Sequence, residues 1–162
     1  MQRRTFLTLS LAGGAGLTLA GCGFRLRGLE GSSAPLDELA LAGPDSDLAR
    51  LAERRLTAAG TRVHDGAGLT LNLGEPEYRQ RQTSVLDSGP RDEELTLVAP
   101  FSVQRRDGAY LLDQQRLEAS RIYSVDQGDL LGREERRDEA REALLEEAVR
   151  QLMQRLRGLP PA

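Results

Sequence analysis

The sequence predicts an α+β fold: a four-stranded mixed, antiparallel-rich sheet in the order βαβββα, with two helices packed on one face. Three observations carry this. Leu69, Leu71 and Leu73 alternate with Thr70 and Asn72, and Leu95, Leu97, Ala99, Phe101 and Val103 alternate in the same way, the period of a half-buried strand. Leu48, Leu51, Ala52, Leu56 and Ala59 recur at three- and four-residue steps, as do Leu145, Ala148, Val149, Leu152 and Leu156; each set makes one apolar helical stripe. Turn-forming sequences, Asp87-Ser88-Gly89-Pro90 and Arg106-Asp107-Gly108, separate the later strands and favour hairpins.

The elements follow in order. Leu36 to Leu41 is a short first strand, ended by Gly43-Pro44. Asp45, Ser46 or Asp47 caps the first helix, which runs from about 46 to 59 and stops at Gly60, since side-chain oxygens and acidic groups suit a helix start and glycine its end. A second strand begins at Leu69 and continues into a polar run, Tyr78-Arg79-Gln80-Arg81-Gln82-Thr83. The third strand holds Pro100, which lacks an N–H and belongs at an edge or a bulge. Residues 109–123 form the fourth strand, with Leu111 and Leu112 competing for the core. Val125 to Gly132 is a loop, and the final helix runs from Arg133 to the Gly158, Pro160 and Pro161 stop.

Composition narrows the function. The formal charge of −3 gives no basic excess, so a nucleic-acid partner, which needs cations to displace phosphate counterions, is excluded. All 22 basic residues are arginine. Arginine suits two-point phosphate contacts, but abundant Ala, Gly, Leu and Pro alongside it read as a GC-rich genome, so only the positions of arginines carry an argument. There is one cysteine, Cys22, and one histidine, His64, short of a zinc ligand set and of a nucleophile–histidine–acid arrangement. No Gly-x-Ser-x-Gly occurs, and no phosphate-cradling glycine loop precedes a helix. Glu134, Glu135, Asp138, Glu139 and Glu142 interleave with Arg136, Arg137 and Arg141, a solvated helix face rather than a carboxylate pair. The expectation is a protein that is not an enzyme and uses neither cofactor nor metal.

Position singles out a few arginines. Arg79 and Arg81 alternate in the polar strand and share one face. With Arg91 past the turn and Arg133 at the start of the last helix, they could form a basic rim at one end of the sheet, suited to phosphorylated lipid. The competing reading is a solvated strand face or a protein-contacting surface. Arg133→Glu is expected to weaken binding to such a lipid and to leave the fold intact.

The N-terminal residues give an address. Arg3 and Arg4 precede a short apolar run, Phe6 to Ala20, which leads through Gly21 to Cys22. This is the layout of an export signal, and Leu19-Ala20-Gly21-Cys22 resembles the lipobox of bacterial lipoproteins. An ordinary secretory signal with a chance cysteine and a short transmembrane helix are the competing readings, although spanning needs roughly 20 apolar residues. Arg3-Arg4-Thr5-Phe6-Leu7 also suits twin-arginine export, with the general route equally open. The expected organisation is a signal peptide over 1–21, a lipidated tether over 22–35 and one α+β domain over 36–162. Removing residues 1–21 from 162 leaves 141 residues, and loss of Arg3 and Arg4 takes the charge from −3 to −5. With Cys22 acylated no thiol remains, so stability rests on packing.

The run Leu19-Ala20-Gly21-Cys22-Gly23-Phe24-Arg25-Leu26-Arg27-Gly28 resembles the start of lipopolysaccharide-assembly lipoproteins of the LptE family, and the element order agrees with that family's fold. The resemblance implies a palmitate-type acyl anchor on Cys22, an outer-membrane location and no catalytic activity. It implies two partners: the LptD-like outer-membrane β-barrel, which the family member plugs and helps to assemble, and lipopolysaccharide, which it binds on its way to the surface. It points to Arg133 in Leu131-Gly132-Arg133-Glu134 as a ligand contact. At the hairpin the chain departs: Asp87 stands where other members have a basic residue, and Arg91, four residues later, is the substitute. The alternative is a free periplasm-facing lipoprotein that binds a small ligand or another envelope protein.

Overall fold

The computed structural model describes residues 34–83, 91–126 and 128–159. The expected signal peptide over 1–21, Cys22, most of the expected tether over 22–35 and the expected turn at Asp87–Pro90 lie outside them. The elements are β1 (Glu38–Ala42), α1 (Asp47–Ala58), β2 (Arg62–Val63), β3 (Leu69–Leu73), β4 (Glu77–Gln82), β5 (Arg91–Arg105), β6 (Tyr110–Val125) and α2 (Leu130–Arg157). The fold is α+β, as the periodicities require, with six strands among the described residues where the sequence suggests four.

The extra strands have local causes. β2 is two residues long and pairs in parallel with β1 at Glu38↔Arg62 and Leu39↔Val63, too short to leave a periodic signature. The expected second strand divides into β3 and β4, which lie in line on one edge of β5. β3 pairs antiparallel with β5 from Leu69↔Arg105 to Leu73↔Phe101, and β4 from Glu77↔Val98 to Gln82↔Glu93. β6 takes the other edge of β5 along its length. β1 completes the sheet, parallel to β3.

Pro100 lies opposite the break between β3 and β4. The Pro100 carbonyl accepts the Gly74 N–H at 2.8 Å. The N and C=O of one strand residue point the same way, so the missing N–H also faces residues 74–76. Pro100 therefore sits in a central strand, not at a sheet edge. It is accommodated because the neighbouring ladder is interrupted there, and a register shift follows at Phe101–Val103. That shift also accounts for Leu111 and Leu112, both half-buried: the alternation of β6 changes phase beside them.

β5 divides the molecule into a dry and a wet face. Glu93, Leu95, Leu97, Ala99, Phe101 and Val103 are buried beneath the helices, together with Leu69, Leu71 and Leu73 of β3 and Leu117, Ala119, Tyr123 and Val125 of β6. Thr96, Val98 and Gln104 turn to the opposite, uncovered face, where polar side chains dominate. α1 inserts Leu48, Ala52 and Leu56. α2 inserts Ala140, Leu144, Ala148, Val149, Leu152 and Leu156, with Leu145 half-buried at the margin. Each fully buried leucine contributes about 2 kcal/mol.

Caps fix the helix ends. The Ser46 hydroxyl accepts the Ala49 N–H at 3.2 Å. Gly60 has φ +100°, and the Thr61 N–H returns to the Leu56 carbonyl at 3.0 Å, a Schellman closure. α2 begins at Leu130, before the expected Arg133, because Asp129 caps it by accepting the Gly132 N–H at 2.9 Å. Gly43, after β1, has φ +134°, and a Cβ there would lie 2.0 Å from the Leu73 carbonyl oxygen. Gly43→Ala should therefore cost at least about 1–3 kcal/mol, read as a lowered urea midpoint with unchanged slope.

Candidate functional site

The most concentrated polar chemistry lies where β5 begins, β6 ends and α2 starts. Glu93 follows the buried phase of β5, which puts a carboxylate under α2 with 7% of its surface exposed. Gln80 Nε2 donates to Glu93 Oε2 at 2.5 Å, Tyr123 OH donates to the same oxygen at 2.9 Å, and Arg133 donates to Oε1 at 2.8 Å. A carboxylate with donors from three elements satisfies the requirement that buried charge be paired and hydrogen-bonded. Burial, and then the bond to Glu93, push the Tyr123 hydroxyl up to about 12.

The helix supplies more than Arg133. Arg137 lies close enough to act electrostatically on Tyr123, and the Arg141 guanidinium stacks over the Tyr78 ring, 4.3 Å from its centre. Arg133, Arg137 and Arg141 are four residues apart and share one stripe of α2, facing β4 and the far end of the sheet. Sequence reasoning set Arg137 and Arg141 aside as part of a solvated face. Their four-residue spacing from Arg133 was the available signal. Glu93 was missed too, although it stands in phase with Leu95 and Leu97.

The expected basic rim is split between the two faces. Arg79 and Arg81 do share a face, as their alternation requires, but it is the uncovered one. There Arg79 pairs with Glu77 at 3.3 Å and Arg81 with Glu94 at 2.9 Å. Arg91 stands in phase with Glu93, on the helix side with Arg133. On the uncovered face Arg79 and Arg81 are thus each paired with an acid, while on the helix side Arg133 pairs with Glu93 and Arg91, Arg137 and Arg141 lie nearby. Cys22 lies outside the described residues.

His64 follows β2 and approaches Glu38 at 3.5 Å. The Glu38 carboxyl is held below its usual range, first by the Gly68 N–H. This group lies at the end where the chain enters β1, the opposite end from Glu93.

Residues 36–156 match the family model LptE, lipopolysaccharide-assembly. The chain belongs to the LptE family. Among curated proteins none matches the sequence. Solved structures share the fold of this LptE-family chain. A minor lipoprotein from Acinetobacter baumannii is 21% identical, with a TM-score of 0.64, over 78% of this chain and 96% of that one. The uncharacterized lipoprotein B from Nitrosomonas europaea is 19% identical, with a TM-score of 0.66, over 81% and 88%. The rare lipoprotein B from Shewanella oneidensis is 22% identical, with a TM-score of 0.57, over 74% and 89%.

Two expectations follow for this LptE-family chain. Arg133→Glu would set a second carboxylate against buried Glu93, so the fold is not spared: a loss of about 2 kcal/mol is expected from the broken charged hydrogen bond. Chemical denaturation checks this, and adding Glu93→Gln should recover part of the loss. The raised Tyr123 value also has a sign. Folding favours the neutral phenol, so its stabilisation is complete below pH ~10, the ordinary tyrosine range, and is lost as pH rises toward about 12. Tyr123→Phe should remove the component near pH 12 from the tyrosinate absorbance titration and flatten the alkaline loss of stability.

Proposed function

We propose that this chain is a non-enzymatic outer-membrane lipoprotein, acylated at Cys22, that plugs and helps to assemble an LptD-like β-barrel and binds lipopolysaccharide during its delivery to the cell surface. Membership of a lipopolysaccharide-assembly family supplies the process. The observation that carries the finer reading is the uncovered polar face of the sheet. Asn72 donates to Ser102 and Gln104, Thr96 meets Ser120 at 3.0 Å, and Arg81 pairs with Glu94. Side chains that bond one another across strands make a surface at home against the polar, wet wall of a barrel lumen.

Dimensions support the same reading. The 15 residues of β5 reach about 50 Å at strand rise, comparable to the roughly 40–45 Å of a bilayer with its headgroups. The chain enters β1 at the end of the sheet that carries the β5–β6 turn, because Leu69 of β3 pairs with Arg105 and β1 runs parallel to β3. β1 therefore begins at the end of the sheet opposite Arg91, Arg133, Arg137 and Arg141, about the length of β5 away. Those arginines have the chemistry to meet lipopolysaccharide phosphates.

The test is affinity capture of the full chain from mildly solubilised outer membranes. The expected result is co-recovery of a large β-barrel and of lipopolysaccharide, the latter reduced by Arg137→Ser with Arg141→Ser and by rising salt. Capture without any barrel would refute the plug, and lipopolysaccharide recovery insensitive to both salt and the double substitution would refute the phosphate contacts.

A further inference from the structure

A cleft of about 400 Å³ opens on the uncovered face where β1 ends and the β3–β4 break meets β5. Ala42, Gly43 and Pro44 form one wall, Gly74 and Pro100 another, and Asn72, Ser102, Gln104, Gln114 and Tyr110 supply its polar and aromatic groups. None of its lining residues is charged, in a chain where 29% of residues are. Two other clefts among the described residues carry ionised side chains: Glu38, Arg62, Arg105 and Arg106 at the β1 entrance, and Arg50, Arg54, Glu142 and Glu146 between the helices.

From this lining we infer that the cleft binds a neutral saccharide chain. Asn72 Nδ2 donates to Ser102 Oγ at 3.3 Å and to Gln104 Oε1 at 3.0 Å. These bonds use the Asn72 NH₂ and the Gln104 carbonyl, leaving the Asn72 carbonyl as an acceptor and the Gln104 NH₂ as a donor. An acceptor and a donor in one uncharged lining suit sugar hydroxyls, each of which gives and takes a hydrogen bond. Tyr110 is 56% exposed, and its ring offers the flat apolar face on which the C–H side of a pyranose packs, with a phenolic tip left for polar contact. Gly43 and Gly74 keep the walls close: a Cβ on Gly74 would lie 2.5 Å from the Pro100 ring. The volume lies within the range of small-ligand clefts.

Two glycans of the bacterial envelope share this chemistry, the sugar portion of lipopolysaccharide and the strands of peptidoglycan. The test uses the full chain, purified in detergent, with two neutral probes: dephosphorylated and carboxyl-reduced oligosaccharide released from rough lipopolysaccharide, and a β-1,4-linked tetramer of N-acetylglucosamine. Calorimetry should show one of them binding below about 10 mM, and it should shift the side-chain amide resonances of Asn72, Gln104 and Gln114. Tyr110→Ala, at an exposed position, should weaken binding roughly five-fold or more, whereas Glu53→Gln, on the exposed side of α1, should leave it unchanged. Binding of the first probe joins the cleft to the lipopolysaccharide reading. Binding of the tetramer alone upholds the cleft as a peptidoglycan site and leaves the lipopolysaccharide reading to stand or fall on its own capture experiment. No binding of either probe, or binding indifferent to Tyr110→Ala, overturns the inference.

Discussion

Strict alternation along β5 is the constraint on which the architecture depends. From Glu93 to Val103 every second side chain is buried, and the intervening ones face away from the helices. A strand this long can hold one dry face only if something apolar lies over its whole length, and α2, 28 residues long, does so with help from α1. In return the opposite face needs no cover, because its polar groups bond across strands and stay wet. One-sided burial is common for antiparallel sheets. Here it extends over a length comparable to a bilayer with its headgroups.

The two ends of that strand differ in kind. At the entrance end, exposed acids and arginines pair loosely in solvent, where ion pairs contribute little. At the far end Glu93 is buried and must keep its three donors. Arg133 therefore serves the fold. The same guanidinium that makes Arg133 attractive as a lipid contact is already committed to a carboxylate beneath it.

Much of the fold was legible in the sequence because periodicity reports burial directly. α1, β3, the middle of β5 and the C-terminal half of α2 each show it in a run of leucines. Legibility ended where pairing partners decide the outcome. β2 is strand only because β1 lies beside it. The β3–β4 break is set by a proline some 25 residues later in the chain. The face taken by Arg79 and Arg81 relative to Arg133 depends on which side of β5 the helices cover, and no local pattern states that. Glu93 is the instructive case. Its position in the alternation predicts burial and its chemistry predicts exposure, and the conflict itself marks a site that other residues have been arranged to satisfy.

The interruption opposite Pro100 has a mechanical consequence. Because β3 and β4 share no hydrogen-bonded ladder with each other, the two lengths of that edge are separate cooperative units. β1–β3 can stay zipped to one half of β5 while β4 peels from the other, giving amide exchange two rates along what looks like a single edge.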